Sequence, residues 1–229
     1  MRLHEVVPWG RNLTEYQQMF TLSESDLGGR ILGCGDGPAS FNTEMHQLGH
    51  DVISIDPIYE FSAAQIRQRV EATYNSIISQ VKAQPDEYIW KTFQSPDELG
   101  RSRLASMEQF LADYAQGRQA KRYIAAALPK LPMFNDQQFD LCLCSHFLLL
   151  YAQQLNAEFH QAALQTLLRV AAEVRIFPLL TLDNQRSPHL APMIALATQL
   201  GKQADIITVE YEFQRGGNQM LRIHTPNDR

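Results

Sequence analysis

The chain has 229 residues, enough for one α/β domain with a full core and room for an insertion. Hydrophobic residues make up 45% and charged residues 20%, a composition that excludes intrinsic disorder. A net charge of -5, with no lysine- or arginine-rich run, argues against a nucleic-acid partner and favours a small-molecule substrate.

Met1 to Gly10 lack the apolar core of a signal peptide, and no run approaches membrane-spanning length. The sequence therefore reads as a cytoplasmic protein with no membrane partner. Residues 1–28 flank the first predicted strand, which covers Arg30 to Leu32. Pro38 suits the first turn of a helix that carries Phe41 and Met45 inward and stops at Gly49. Val52 to Ile55 is the second strand, closed by Asp56-Pro57. A long helical pattern from Ser62 to about Lys82 buries Ile66, Val70, Ile77 and Val81, and Gln84-Pro85-Asp86 breaks it. Ser95 caps another helix, with Leu104, Met107, Phe110, Leu111 and Tyr114 inward. Residues 85–117 exceed what a minimal nucleotide-binding unit needs, so they read as an inserted helical cap within a single domain spanning 1–229.

Arg122 to Leu128, Phe139 to Ser145 and Val174 to Phe177 are the third, fourth and fifth strands. Asn156 caps the helix between the last two, and Ser187 to Leu200 forms another that ends at Gly201. This alternation argues for a parallel sheet covered by helices on both faces. The tail breaks the rhythm. Ile207, Val209, Tyr211 and Phe213 alternate with polar residues, Arg215 to Asn218 turn the chain, and Gln219 to His224 returns as an antiparallel hairpin strand. The three cysteines fit free thiols in a reducing compartment. Cys142 and Cys144 share one face of a strand but have no partner pair at metal-ligating spacing, so they read as buried apolar groups and no metal site is expected.

The segment Ile31-Leu32-Gly33-Cys34-Gly35-Asp36-Gly37-Pro38, followed by Asp56 at the end of the second strand, carries the functional signal. A strand, a glycine turn, a helix and a second strand ending in an acid build a pocket for a nucleoside-containing cofactor. A dinucleotide fingerprint would place its third glycine where Pro38 stands. That residue has no N–H for a pyrophosphate, so a phosphate-free cofactor fits better. Asp56 is either a turn former or the acceptor for the two hydroxyls of a ribose, and the upstream glycines favour the ribose.

This layout, with Leu128-Pro129 leading to Phe139-Asp140 and the terminal hairpin, resembles the class I S-adenosylmethionine-dependent methyltransferases. The segments Val7-Pro8-Trp9-Gly10-Arg11 and Tyr211 to Gly217 are similar to a bacterial branch of that family. The resemblance implies a Rossmann-like, seven-stranded, mostly parallel sheet with an antiparallel C-terminal strand, and S-adenosylmethionine as cofactor. It implies that Gly33, Gly35 and Gly37 line the amino-acid and ribose portions and that Asp56 holds the ribose. Ile31 and Ala125 to Ala127 stand where many members carry acids; Asp36 or Ser145 is the expected substitute for the first, unless Asp36 serves only to stabilise the turn.

Methyl transfer needs alignment of the acceptor, exclusion of water and, for a protic acceptor, a base. His146, just past the fourth strand, is the base candidate or else a strand-end cap. Trp9, Arg11, Tyr16, Tyr151 and His189 are the expected substrate or lid residues; a tryptophan face suits a sulfonium and Arg11 a carboxylate. His160 and His224 are expected at the surface. The competing readings are a non-catalytic S-adenosylmethionine-binding protein and a nicotinamide-dependent oxidoreductase.

Overall fold

The computed structural model describes residues 9–226, so Val7, Pro8 and the rest of the extreme N-terminus lie outside the described residues. Seven strands form one sheet in the order β3-β2-β1-β4-β5-β7-β6. They are β1 (Ile31–Cys34), β2 (Val52–Ile55), β3 (Tyr123–Ile124), β4 (Phe139–Ser145), β5 (Ala171–Phe177), β6 (Gln203–Thr208) and β7 (Gln219–His224). β1 pairs in parallel with both β2 and β4, whereas β7 runs antiparallel between β5 and β6.

Alternation along the strands sorts two cores. Leu32, Cys34, Cys142 and Cys144 face one side, packed with Ala163, Leu164 and Leu167 of α6 (Ala157–Val170) and Met193 of α7 (Leu190–Gln199). Ile31, Leu141 and Leu143 face the other, against Tyr16 and Met19 of α1 (Leu13–Phe20) and Phe41 and Met45 of α3 (Phe41–Gln47). A one-turn helix, α2 (Glu24–Leu27), precedes β1. Between β2 and β3 stand two long helices, α4 (Ala63–Ala83) and α5 (Pro96–Gln119). Each starts where a serine oxygen accepts a backbone N–H, Ser62 from Gln65 and Ser95 from Glu98. Tyr59, Ile66, Val70, Phe110, Tyr114 and Tyr123 knit these helices to the sheet edge.

Several boundaries depart from expectation, among them the start of β5, at Ala171 rather than Val174. The third strand shrinks to two residues because β2, its one partner, ends at Ile55; beyond Ile124 the chain has nothing to pair with. Pro38 lies ahead of α3, which begins at Phe41 after Ser40, and its carbonyl abuts Gly10 so closely that a Cβ there would sit 2.0 Å away. α7 starts at Leu190 rather than Ser187. β6 begins at Gln203 and ends at Thr208, so residues 209–213 leave the sheet despite their alternation. The cause is aromatic packing elsewhere: Phe213 stacks on Tyr88 with ring centroids 4.7 Å apart, and the Tyr211 hydroxyl donates to Glu15 at 3.0 Å.

Candidate active site

The carboxyl ends of β1, β2 and β4 open into a cavity of about 630 Å³. This is where an open α/β sheet places its ligand. Its floor is the glycine turn after β1, Asp56 to Ile58 after β2 and Ser145 to Phe147 after β4; Ile77 and Val81 of α4 and Phe213 of the tail face them.

The glycine turn is built for close approach. Gly35 and Gly37 have φ of +71° and +55°, a region that side chains disfavour. The carboxylate of Asp56 spans this turn: one oxygen accepts the Gly37 N–H and the other the Ile58 N–H, both at 2.9 Å. Each oxygen therefore keeps a lone pair for a further donor. Burial raises the Asp56 pKa to about 6.

Gly33 does a different job from the one expected. It is absent from the cavity wall, and a Cβ on it would stand 1.8 Å from Oδ2 of Asp36. The glycine makes room for that carboxylate, which accepts the Tyr16 hydroxyl at 2.8 Å and the Ser54 hydroxyl at 2.6 Å. Burial, aided by the like charge of Asp56, pushes Asp36 up to about 7.

At the end of β4, His146 holds a left-handed φ of +51°, with Nδ1 3.0 Å from the Ser145 hydroxyl. Burial, together with the positive charges of Arg11 and Arg103, lowers its pKa well below the usual imidazole value. The ring is thus neutral near pH 7, and the same burial and positive charges disfavour the imidazolium that proton uptake would form. Trp9, Arg11, Tyr16 and Tyr151 also line the cavity.

His189 does not. Its ring stacks on His160, centroids 3.9 Å apart, outside the cavity wall. His160 is buried rather than at the surface, because both ring nitrogens face carbonyls, those of Asn156 at 2.8 Å and Leu148 at 2.9 Å. His224 is half-buried, its Nε2 3.0 Å from Asp205. Among the described residues, no group of three or more His, Cys, Asp or Glu is placed to hold a metal ion.

Sequence reasoning missed a fully buried ion pair behind the cavity. Arg103 of α5 donates to both oxygens of Glu15 of α1, at 2.5 and 2.6 Å, and the Tyr211 hydroxyl joins them. It ties the helical insertion to the N-terminal helix and the C-terminal tail. The one local signal was Glu15 three residues after Asn12, a capping pair. Nothing local pairs Glu15 with a residue 88 positions away.

No family model matches the chain. It is 34% identical over 224 residues to the uncharacterized protein MJ0045 of Methanocaldococcus jannaschii, covering 97% of this chain and 98% of that protein. Among solved structures it superposes with a TM-score of 0.50 on the magnesium protoporphyrin IX methyltransferase of Synechocystis PCC 6803 with bound S-adenosylhomocysteine. That match has 13% identity and covers 93% of this chain and 84% of the other. The 1,6-didemethyltoxoflavin-N1-methyltransferase of Burkholderia thailandensis, bound to 1,6-didemethyltoxoflavin and S-adenosylhomocysteine, gives 0.50 at 11% identity, over 94% and 80% of the two chains. The chain belongs to the family of MJ0045, and its fold is that of the class I S-adenosylmethionine-dependent methyltransferases.

Proposed function

We propose that this chain transfers the methyl group of S-adenosylmethionine to a small-molecule acceptor within the cavity. The observation that carries this reading is Asp56, poised across the Gly35–Gly37 turn with one lone pair left on each oxygen. Those two acceptors match the vicinal hydroxyls of a ribose, and the turn leaves the space that a nucleoside needs. When bound, the cofactor supplies a methyl group on a positively charged sulfur, ready for in-line displacement.

The protein's own contribution is placement. Gly35, Gly37 and Asp56 hold the ribose side. Asp36 and Ser145 stand in for the acid that Ile31 lacks and face the amino-acid end, with Tyr16 and Ser54 fixing the Asp36 carboxylate. His146, neutral at the end of β4 and lining the cavity, is the side chain assigned to a protic acceptor's proton, its lowered pKa being offset only if an anionic ligand screens Arg11. α4, α5 and the stretch between them form a cap whose Ile77, Val81, Tyr88 and Leu99 shape the acceptor lobe together with Trp9 and Tyr151 and exclude water. The buried thiols of Cys34, Cys142 and Cys144 suit a reducing, cytoplasmic setting.

The test is incubation of the protein with methyl-labelled S-adenosylmethionine and a panel of small phenols, acids and amines. The reading expects label in one class of acceptor with stoichiometric S-adenosylhomocysteine. His146→Gln should reduce transfer to protic acceptors at least tenfold while binding S-adenosylhomocysteine normally. Tight binding without turnover on any acceptor would instead support a non-catalytic binding protein.

A further inference from the structure

Two guanidiniums in this structure stand beside one carboxylate: Arg103 is fully buried and Arg11 half-buried. Arg103 occupies both oxygens of Glu15. Arg11, whose pKa burial and the charge of Arg103 lower, forms no ion pair among the described residues. Its hydrogen bond among the described residues runs from Nη1 to the carbonyl of Trp9 at 3.1 Å, while Nε is buried with no partner. The side chain lines the cavity. The other acids of the cavity floor do not serve it: Asp36 is held by Tyr16 and Ser54, and Asp56 by the backbone of Gly37 and Ile58.

A cation drawn partly out of water, with a buried N–H left unpaired, is costly, and the cost is relieved when an anion arrives. Arg103 and Glu15 match each other, so Arg11 is the one of these three groups with no opposite charge bonded to it. The planar fork of a guanidinium suits a carboxylate, and the carboxylates of Asp36 and Asp56 on the same cavity floor would repel a doubly charged phosphate.

We propose that Arg11 is the carboxylate anchor of the cavity, receiving the acid group of a ligand on the guanidinium edge that Glu15 leaves unmatched. The inference deepens the proposed methyl transfer and rests on it for the ligand's identity. The carboxylate is either the one on the amino-acid end of the cofactor or one on the methyl acceptor.

Calorimetric titration separates these sources. Wild-type protein and the Arg11→Met variant are titrated with S-adenosylhomocysteine and with 5′-methylthioadenosine, which lacks the amino-acid end. Both proteins are then titrated with benzoate, alone and after saturation with S-adenosylhomocysteine. Thermal unfolding confirms that the variant is folded, and Arg11→Gln replaces it if it is not. A loss of tenfold or more for S-adenosylhomocysteine, with 5′-methylthioadenosine unchanged, assigns Arg11 to the cofactor carboxylate. An unchanged S-adenosylhomocysteine affinity, with benzoate binding lost in the variant, assigns it to the acceptor. Equal affinities of wild type and variant for every probe, or an equal loss for both nucleosides, would overturn the proposal. Failure of wild-type protein to bind either nucleoside would count against the proposed function, and benzoate alone would then decide the role of Arg11.

Discussion

Replacing Asp36 by asparagine should stabilise the protein, and by an amount that grows with pH. The carboxyl is buried and its pKa is raised to about 7, against 3.8 for the ordinary group. The folded chain therefore holds the proton more tightly than the unfolded one. Stability from this group is greatest below the unfolded value, falls as pH rises from about 4 to about 7, and levels off above. A shift of roughly 3 units corresponds to about 4 kcal/mol at the plateau. Asparagine carries no charge, and its two partners, the hydroxyls of Tyr16 and Ser54, can each donate or accept. Changed hydrogen bonding costs about 1 kcal/mol at any pH. The gap between variant and wild type should widen by about 2.5 kcal/mol between pH 5 and pH 8, with part of that passing through the neighbouring Asp56. Urea unfolding at the two pH values measures it, and comparing the variant with wild type cancels the other titrating groups. A gap that stays constant across this range would refute the reasoning. An acid retained at such a cost is what a binding site, rather than a stabilised core, would keep.

Two further predictions concern the floor of the site and the ion pair behind it. Asp56→Ala removes two charge-assisted hydrogen bonds to a ribose and should weaken S-adenosylhomocysteine binding by about 3 kcal/mol, more than 100-fold, in a protein that still unfolds cooperatively; unchanged affinity would remove the ribose role. Arg103→Met leaves Glu15 buried with only the charge of Arg11 nearby and should cost about 3 kcal/mol of stability. Adding Glu15→Gln should restore most of it, and a double variant no better than the single one would show that packing, not charge, dominates.

The sheet and the glycine turn at the mouth of the cavity were legible because the information there is local. Gly35 and Gly37, the alternation of β4 and the acid at the end of β2 all lie within short segments whose periodicity or turn chemistry is decisive. Ser62, Ser95 and Asn156 marked helix starts for the same reason. What escaped was long-range. The role of Gly33 depends on where a carboxylate three residues later folds back. The burial of His160 depends on two carbonyls, one of them Leu148 in a loop twelve residues away. Residues 209–213 carry a strand-like alternation, yet the aromatic groove beside Tyr88 and the hydroxyl contact of Tyr211 with Glu15 draw them out of the sheet. Nothing local in α5 marks Arg103 as the partner of Glu15, 88 positions away.

The most direct test of the account is a calorimetric titration of purified protein with S-adenosylhomocysteine and, separately, with NADH. The account predicts saturable binding of S-adenosylhomocysteine, weakening as pH falls through about 6 because the Asp56 carboxylate, the acceptor for both ribose hydroxyls, becomes protonated there. NADH should not bind, because Pro38 denies its pyrophosphate a backbone N–H. Binding of NADH with no response to S-adenosylhomocysteine would contradict the account.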